Sequence, residues 1–136
     1  MKGLFVDTAG WMACINAADP AHRQAVAARD GWLEEGGLLV TTDYVADETL
    51  TLLRLRHGLH TAEAWWRQVD GSTHLRWEFI SLVRADKARG LFFRYADKEF
   101  SFTDCTSFVV MRELKLQEAL TTDNHFRQAG FVTLPK

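Results

Sequence analysis

Leu4-Phe5-Val6-Asp7-Thr8 is the stretch on which the fold turns: three apolar residues in succession, then an acid, then a small hydroxyl residue. An unbroken apolar run of this length fits a strand buried on both faces, and such strands belong to parallel sheets covered by helices on each side. The pattern returns further along. Leu38 to Thr41 reads as a second strand, Leu75, Trp77 and Phe79 alternate as in a third, Ala119 to Thr122 ends on Asp123, and Phe131 to Leu134 closes the chain after Gly130.

Helical signals fill the intervals. Helix is expected through Trp11 to Asn16, then from Asp19-Pro20, with Asp19 as N-cap, to the stop at Gly36-Gly37. Thr42 or Asp43 caps a helix that Gly58 ends, and on it Val45, Glu48, Leu52 and Leu55 share one face. Thr61 is expected to cap a helix carrying Ala62, Trp65, Trp66 and Val69. Ala88, Leu91, Phe92 and Tyr95 mark another, and Thr103 is read as the N-cap of a helix with Asp104 in its first turn. Strands alternating with helices predict an α/β sandwich with a mainly parallel sheet, in one domain spanning residues 1–136.

Composition narrows the classes. The 136 residues are 47% hydrophobic and 25% charged, enough for a core that needs no disulfide or structural metal. Sixteen Lys and Arg against 18 Asp and Glu exclude a polybasic nucleic-acid binder. Cys14 and Cys105 form no CxxC pair, and two buried thiols in a reducing cytosol are expected. Apolar runs fall short of the roughly 20 residues needed to cross a bilayer. Met1-Lys2-Gly3 leads into too brief an apolar segment for a signal peptide, so the expected location is cytoplasmic with no membrane partner.

Ligands of such a sheet gather beyond the carboxyl ends of its strands. Asp7 and Asp123 directly follow strands, Asp104 opens a helix, and Glu48 lies on the helix after the second strand. Taken singly, these are a helix-start acid, two turn acids and an acid snorkelling from an apolar stripe. Taken together, they place four carboxylates at one edge, where mutual repulsion disfavours ionisation unless a cation joins them. Mg²⁺ or Mn²⁺, which prefer hard oxygen ligands and retain waters, suit such a site and the hydrolysis of a phosphodiester.

The segments Leu4-Phe5-Val6-Asp7-Thr8, Val45-Ala46-Asp47-Glu48-Thr49-Leu50, Phe102-Thr103-Asp104-Cys105-Thr106-Ser107-Phe108 and Leu120-Thr121-Thr122-Asp123-Asn124-His125-Phe126 resemble, in order, the motifs of PIN-domain ribonucleases. The resemblance is nearest to the VapC-like toxins of toxin–antitoxin pairs. It implies a three-layer sandwich and a metal-dependent endoribonuclease with Asp7, Glu48, Asp104 and Asp123 as the acidic metal and catalytic site. Asp123 falls in the more variable motif, which leaves open direct ligation, action through water, or positioning of the others. Thr8 and Ser107 match supporting hydroxyls, Ser107 reading equally well as an ordinary helical serine. His125 is read as a neighbour touching a ligand or substrate rather than as a general base. A homodimer and a cognate antitoxin are the partners implied.

For RNA itself, Arg94, Lys98, Arg112 and Arg127 are candidate phosphate contacts, with Trp11 a candidate stacking surface. Adjacent Trp65 and Trp66 suggest a partner-facing surface. Two other readings compete: a PIN-like scaffold that binds RNA or protein without cutting, and a receiver-type magnesium-binding signalling module. The receiver class lacks a convincingly placed phosphoacceptor Asp and Lys here. Setting the four acids aside leaves 14 acids against 16 bases, a slightly positive surface around a negative pocket.

Overall fold

A computed structural model of the chain describes residues 1–136. In chain order the elements are β1 (Gly3–Val6), α1 (Thr8–Ile15), α2 (His22–Glu34), β2 (Leu38–Thr42), α3 (Asp43–His57) and α4 (Leu59–Asp70). There follow β3 (Leu75–Glu78), α5 (Leu82–Arg94), α6 (Phe102–Glu113), β4 (Glu118–Leu120), α7 (His125–Gln128) and β5 (Val132–Leu134). The five strands form one sheet in the order β3-β2-β1-β4-β5, with every neighbouring pair parallel. The expected α/β sandwich is therefore present, and its sheet is wholly parallel, flanked by helices.

β1 is buried along its whole length, as the apolar run requires at the centre of such a sheet. From β1 the chain winds outward to β2 and β3 on one side and to β4 and β5 on the other, so the winding reverses between β1 and β4. A crevice opens at the carboxyl ends of strands beside such a reversal. The register sets Val6 level with Leu120, so the residues that follow, Asp7 and Thr121, emerge side by side into that crevice.

Two packing features hold the crevice in shape. A Cβ on Gly10 would lie 2.1 Å from the Leu120 carbonyl oxygen, so the first turn of α1 rests directly on the end of β4. Phe126, the one buried residue of the short α7, packs at ring-centroid distances of 5.0 Å on Phe108 and 6.0 Å on Phe5. Burying that ring is worth about 2–3 kcal/mol, enough to moor a helix too short to stand alone.

Several local expectations are corrected. Ser101, not Thr103, caps α6: its hydroxyl accepts the Asp104 N–H while the Asp104 carboxylate accepts the Ser101 N–H, a reciprocal capping box. α2 begins at His22, and Asp19 caps a turn before it by accepting the Ala21 N–H. α4 begins at Leu59 after Gly58 at φ 95°, a left-handed conformation that favours glycine, and Thr61 lies inside the helix. β4 stops at Leu120, although the Thr121 N–H still donates to the Leu134 carbonyl of β5 at 2.9 Å, and Thr122 lines the crevice. The stripe on α3 ends at Leu52, since Leu55 is 76% exposed. Trp65 is buried edge-on to Trp11 whereas Trp66 is partly exposed against Trp77, so the tryptophan pair divides between core and surface. Cys14 and Cys105 are buried and unpaired, as expected.

Candidate active site

Each acid at the crevice is placed by a local backbone rule. Asp7 is the N-cap of α1: its Oδ1 accepts the Gly10 N–H at 2.8 Å, and its Oδ2 accepts the Thr121 hydroxyl at 2.8 Å. That hydroxyl also accepts the Asp123 N–H at 3.0 Å, so Thr121 ties the end of β1 to the loop after β4. Asp123 Oδ1 accepts the His125 N–H at 2.8 Å, which opens the turn into α7. Asp104 Oδ2 receives the Ser101 N–H, and the His125 ring sits against it with Nδ1 at 2.7 Å. The same Nδ1 is 3.2 Å from Asp123 Oδ2, so His125 stands between the two carboxylates.

Asp7, Glu48, Asp104 and Asp123 all line one cleft of about 380 Å³. Glu48 enters from α3, half-buried and with no hydrogen-bond partner, one turn before Leu52 and two before Arg56, which line the same wall. Thr8 and Ser107 are buried at the cleft: Thr8 Oγ1 lies 3.3 Å from Thr49 Oγ1, and the Ser107 hydroxyl donates to the Thr103 carbonyl at 3.0 Å. Asp104, Asp123 and His125 each present a ligand atom within 4.8 Å of the others.

Electrostatics match a site built for a cation. Burial pushes the Asp7 carboxyl up to about 7 despite its two hydrogen bonds, and the nearby charges of Asp104 and Asp123 push the same way. Burial also raises Asp104, opposed by the bonds from Ser101 and His125. A carboxylate held out of water among other carboxylates lacks a counter-charge, and the donors are predominantly hard oxygens, so the residues fit a divalent ion.

The four basic residues proposed for substrate do not line the cleft. Arg94 and Arg112 flank a separate groove between α5 and α6, Lys98 pairs with Asp97 at 3.3 Å, and Arg127 donates to Thr133 at 3.2 Å. Trp11 is buried and donates its indole N–H to Thr41, so it offers no stacking face. Sequence reasoning passed over Thr121, Asp19 and Arg56. Thr121 lies close to a strand-end acid, a usable signal in the sequence, whereas nothing in the sequence distinguishes Arg56 from Arg54 and His57 at the same helix end.

No family model matches the chain. Curated relatives do: the 23S rRNA-specific endonuclease VapC20 of two Mycobacterium tuberculosis strains is 36% identical over 129 residues, covering 95% of this chain and 95% of the relative. The chain belongs to the VapC family of PIN-domain ribonuclease toxins. The crystal structure of M. tuberculosis VapC20, described as a sarcin–ricin loop cleaving toxin, superposes with a TM-score of 0.84 over 95% of this chain and 96% of that one, at 36% identity. FitAcB from Neisseria gonorrhoeae, at 13% identity and a TM-score of 0.64 over 96% of this chain and 95% of that one, shares the fold. As a VapC toxin, the chain is an endoribonuclease acting on RNA, and the family implies a divalent metal and an antitoxin partner. That membership sets aside the receiver-type reading.

Proposed function

We propose that this VapC toxin uses Mg²⁺ or Mn²⁺, held by Asp7, Glu48, Asp104 and Asp123, to hydrolyse one phosphodiester of the sarcin–ricin loop of 23S rRNA. The observation that carries the reading is the convergence of three backbone-anchored aspartates and Glu48 on one cleft at the reversal of the sheet. The target follows from the relative's specificity, given 36% identity along nearly the whole of both chains.

When bound, a divalent ion supplies polarisation of phosphoryl oxygens and acidification of water. The chain's own residues supply position. The Gly10 N–H and Thr121 hydroxyl fix both oxygens of Asp7, so its direction is set before substrate arrives. Asp104 commits Oδ2 to the Ser101 cap and the His125 ring, while Oδ1 receives no hydrogen bond from the protein. His125 holds Asp104 and Asp123 together and spaces them. Met12, Val45 and Leu52 give the cleft an apolar lining that limits bulk water around the charged cluster.

We further propose a homodimer and a cytoplasmic site of action, where ribosomes are found. Phe79, Leu82, Val83, Phe92 and Phe93 expose apolar side chains consistent with a protein partner, and no helix is long and apolar enough to cross a membrane. The test is to incubate purified protein with ribosomes and with free 23S rRNA, in Mg²⁺, Mn²⁺ or EDTA, and to map new 5′ ends. One metal-dependent cut in the sarcin–ricin loop, absent with Asp7→Asn, is expected. Cutting that persists in EDTA would overturn the metal assignment, and cuts confined to other RNAs would overturn the target.

A further inference from the structure

We propose that Arg56 is the substrate-binding cation of the cleft, gripping an RNA phosphate that flanks the scissile one. This rests on the reading of the cleft as the RNA-cutting site. The cleft lining carries five carboxylates, those of Asp7, Asp19, Glu48, Asp104 and Asp123, and Arg56 is its only Lys or Arg. A polyanion entering such a cleft meets repulsion on nearly every side, and a divalent ion at the acids answers it only at the reacting phosphate. The neighbouring phosphates need a cation of their own.

Arg56 is free to serve. It has no ion pair and no side-chain hydrogen bond in the protein, although five acids share its cleft. Neither position 52 nor position 60, one turn to either side on the chain, holds an acid that could engage it. Arg84 is committed to Glu78 and Glu113, Lys87 to Glu113 and Arg127 to Thr133, while Arg94 and Arg112, equally without ion pairs, border a separate groove and not the cleft.

Position matters as much as freedom. Glu48, Leu52 and Arg56 form one row on α3, each a turn from the last, and about 12 Å of helix axis separates the two charged ends. Helical side chains lean toward the N-terminus, so the long Arg56 side chain reaches back over Leu52 toward the acids. A guanidinium held there meets the backbone beside the reacting phosphate and offers a planar fork suited to phosphate oxygens. The bland account is that a basic residue in the last turn of α3 merely offsets the helix dipole. Arg54, exposed in the same turn and absent from the cleft lining, meets that account equally well and is the control.

The experiment uses the full-length protein and a fluorescent RNA oligonucleotide carrying the sarcin–ricin sequence. Binding is measured by anisotropy in the cleavage-deficient Asp7→Asn background with Mg²⁺, and steady-state cleavage in the otherwise wild-type chain. Arg56→Ala should weaken binding and raise KM about tenfold, Arg56→Lys should recover part of that loss, and Arg54→Ala should change neither by more than about twofold. The slope of log affinity against log salt should become less negative by about 0.7 with Arg56→Ala, the share of one single-strand phosphate. Unchanged KM and salt slope in an active Arg56→Ala enzyme would overturn this assignment and leave the nuclease reading intact. Equal losses in Arg54→Ala and Arg56→Ala would overturn it in favour of the general field of the helix end. A wild-type protein that neither binds nor cuts RNA would overturn the parent reading, and this one with it.

Discussion

The two walls of the cleft are built on opposite plans. On one wall, Asp7, Asp104 and Asp123 each accept a backbone N–H, from Gly10, Ser101 and His125, so every one is a structural cap or turn acid as well as a residue lining the cleft. On the other wall, Glu48 and Arg56 project from α3 with no hydrogen-bond partner in the protein. The fixed wall sets where charge sits before any ligand arrives, which spares the reorganisation that binding otherwise costs. The free wall gives up side-chain entropy when it engages, and in exchange it can follow ligands of different shape. One site thus combines a rigid anchor with an adjustable jaw.

The largest expected effect separates activity from folding. Asp7→Asn, Asp104→Asn and Glu48→Gln should each lower the rate of RNA cleavage by on the order of 10²–10³-fold, measured under single-turnover conditions with saturating enzyme. Only the first two should also shift the urea midpoint, because only those acids serve the backbone. A Glu48→Gln enzyme of normal activity would remove α3 from the chemistry and reduce the contrast to one wall.

Next in size is the pH dependence of the metal-free protein. Asp7 is pushed up to about 7 when folded, against 3.8 in the unfolded chain, so between those values the folded state holds a proton that the unfolded state has released. This group's contribution is therefore most favourable below about pH 4, declines as pH rises toward 7, and stays flat above. The decline is worth about 2–4 kcal/mol. In EDTA, Asp7→Asn should thus gain stability over wild type at pH 8 more than at pH 5, read as the difference between urea midpoints. A difference that does not change with pH would mean that Asp7 is better solvated than its burial indicates.

Much of this arrangement was legible in the sequence, and the limits are physical. The apolar run before Asp7 announced a central strand, and strand-end acids announced the carboxyl edge, because burial and repulsion leave marks on residue type and order. Cap choice was less legible. Ser101 and Thr103 are both good caps, and the reciprocal bond with Asp104, three residues after Ser101, decided between them. Partnerships far apart in sequence left no mark: the bond between Thr121 and Asp7 spans 114 positions and depends on strand register. The basic residues were misplaced for the same reason, since proximity to a motif along the chain says little about which face of α5 or α6 a side chain occupies.

Thr121 tests the rigidity of the fixed wall at an intermediate scale. Thr121→Val keeps the shape and removes a buried hydroxyl that donates to Asp7 and accepts from the Asp123 N–H, leaving both groups short of a partner. The expected cost is about 1–3 kcal/mol in urea unfolding, with a fall in cleavage rate of about tenfold at unchanged KM. Thr121→Ser, which retains the hydroxyl, should restore most of the rate. A loss appearing in KM alone would place Thr121 in substrate binding and weaken the case for a preset anchor.

The smallest effect is the one that delimits the jaw. Arg94 and Arg112 border a groove between α5 and α6, away from the acids, with Lys87 and Glu113 beside them. If RNA is held by the cleft alone, Arg94→Ala and Arg112→Ala should change oligonucleotide affinity by less than about twofold and stability by less than about 0.5 kcal/mol. The same measurement on a longer rRNA fragment is the sharper form. A short oligonucleotide occupies only the cleft, whereas a folded fragment can also lay a helical arm across α5 and α6, where unsequenced phosphate contacts add affinity without directing the cut. Losses seen with the fragment but not with the oligonucleotide would extend the adjustable wall beyond α3. Losses with both would mean that the short RNA itself runs across α5 and α6, and the division between the two walls would have to be redrawn there.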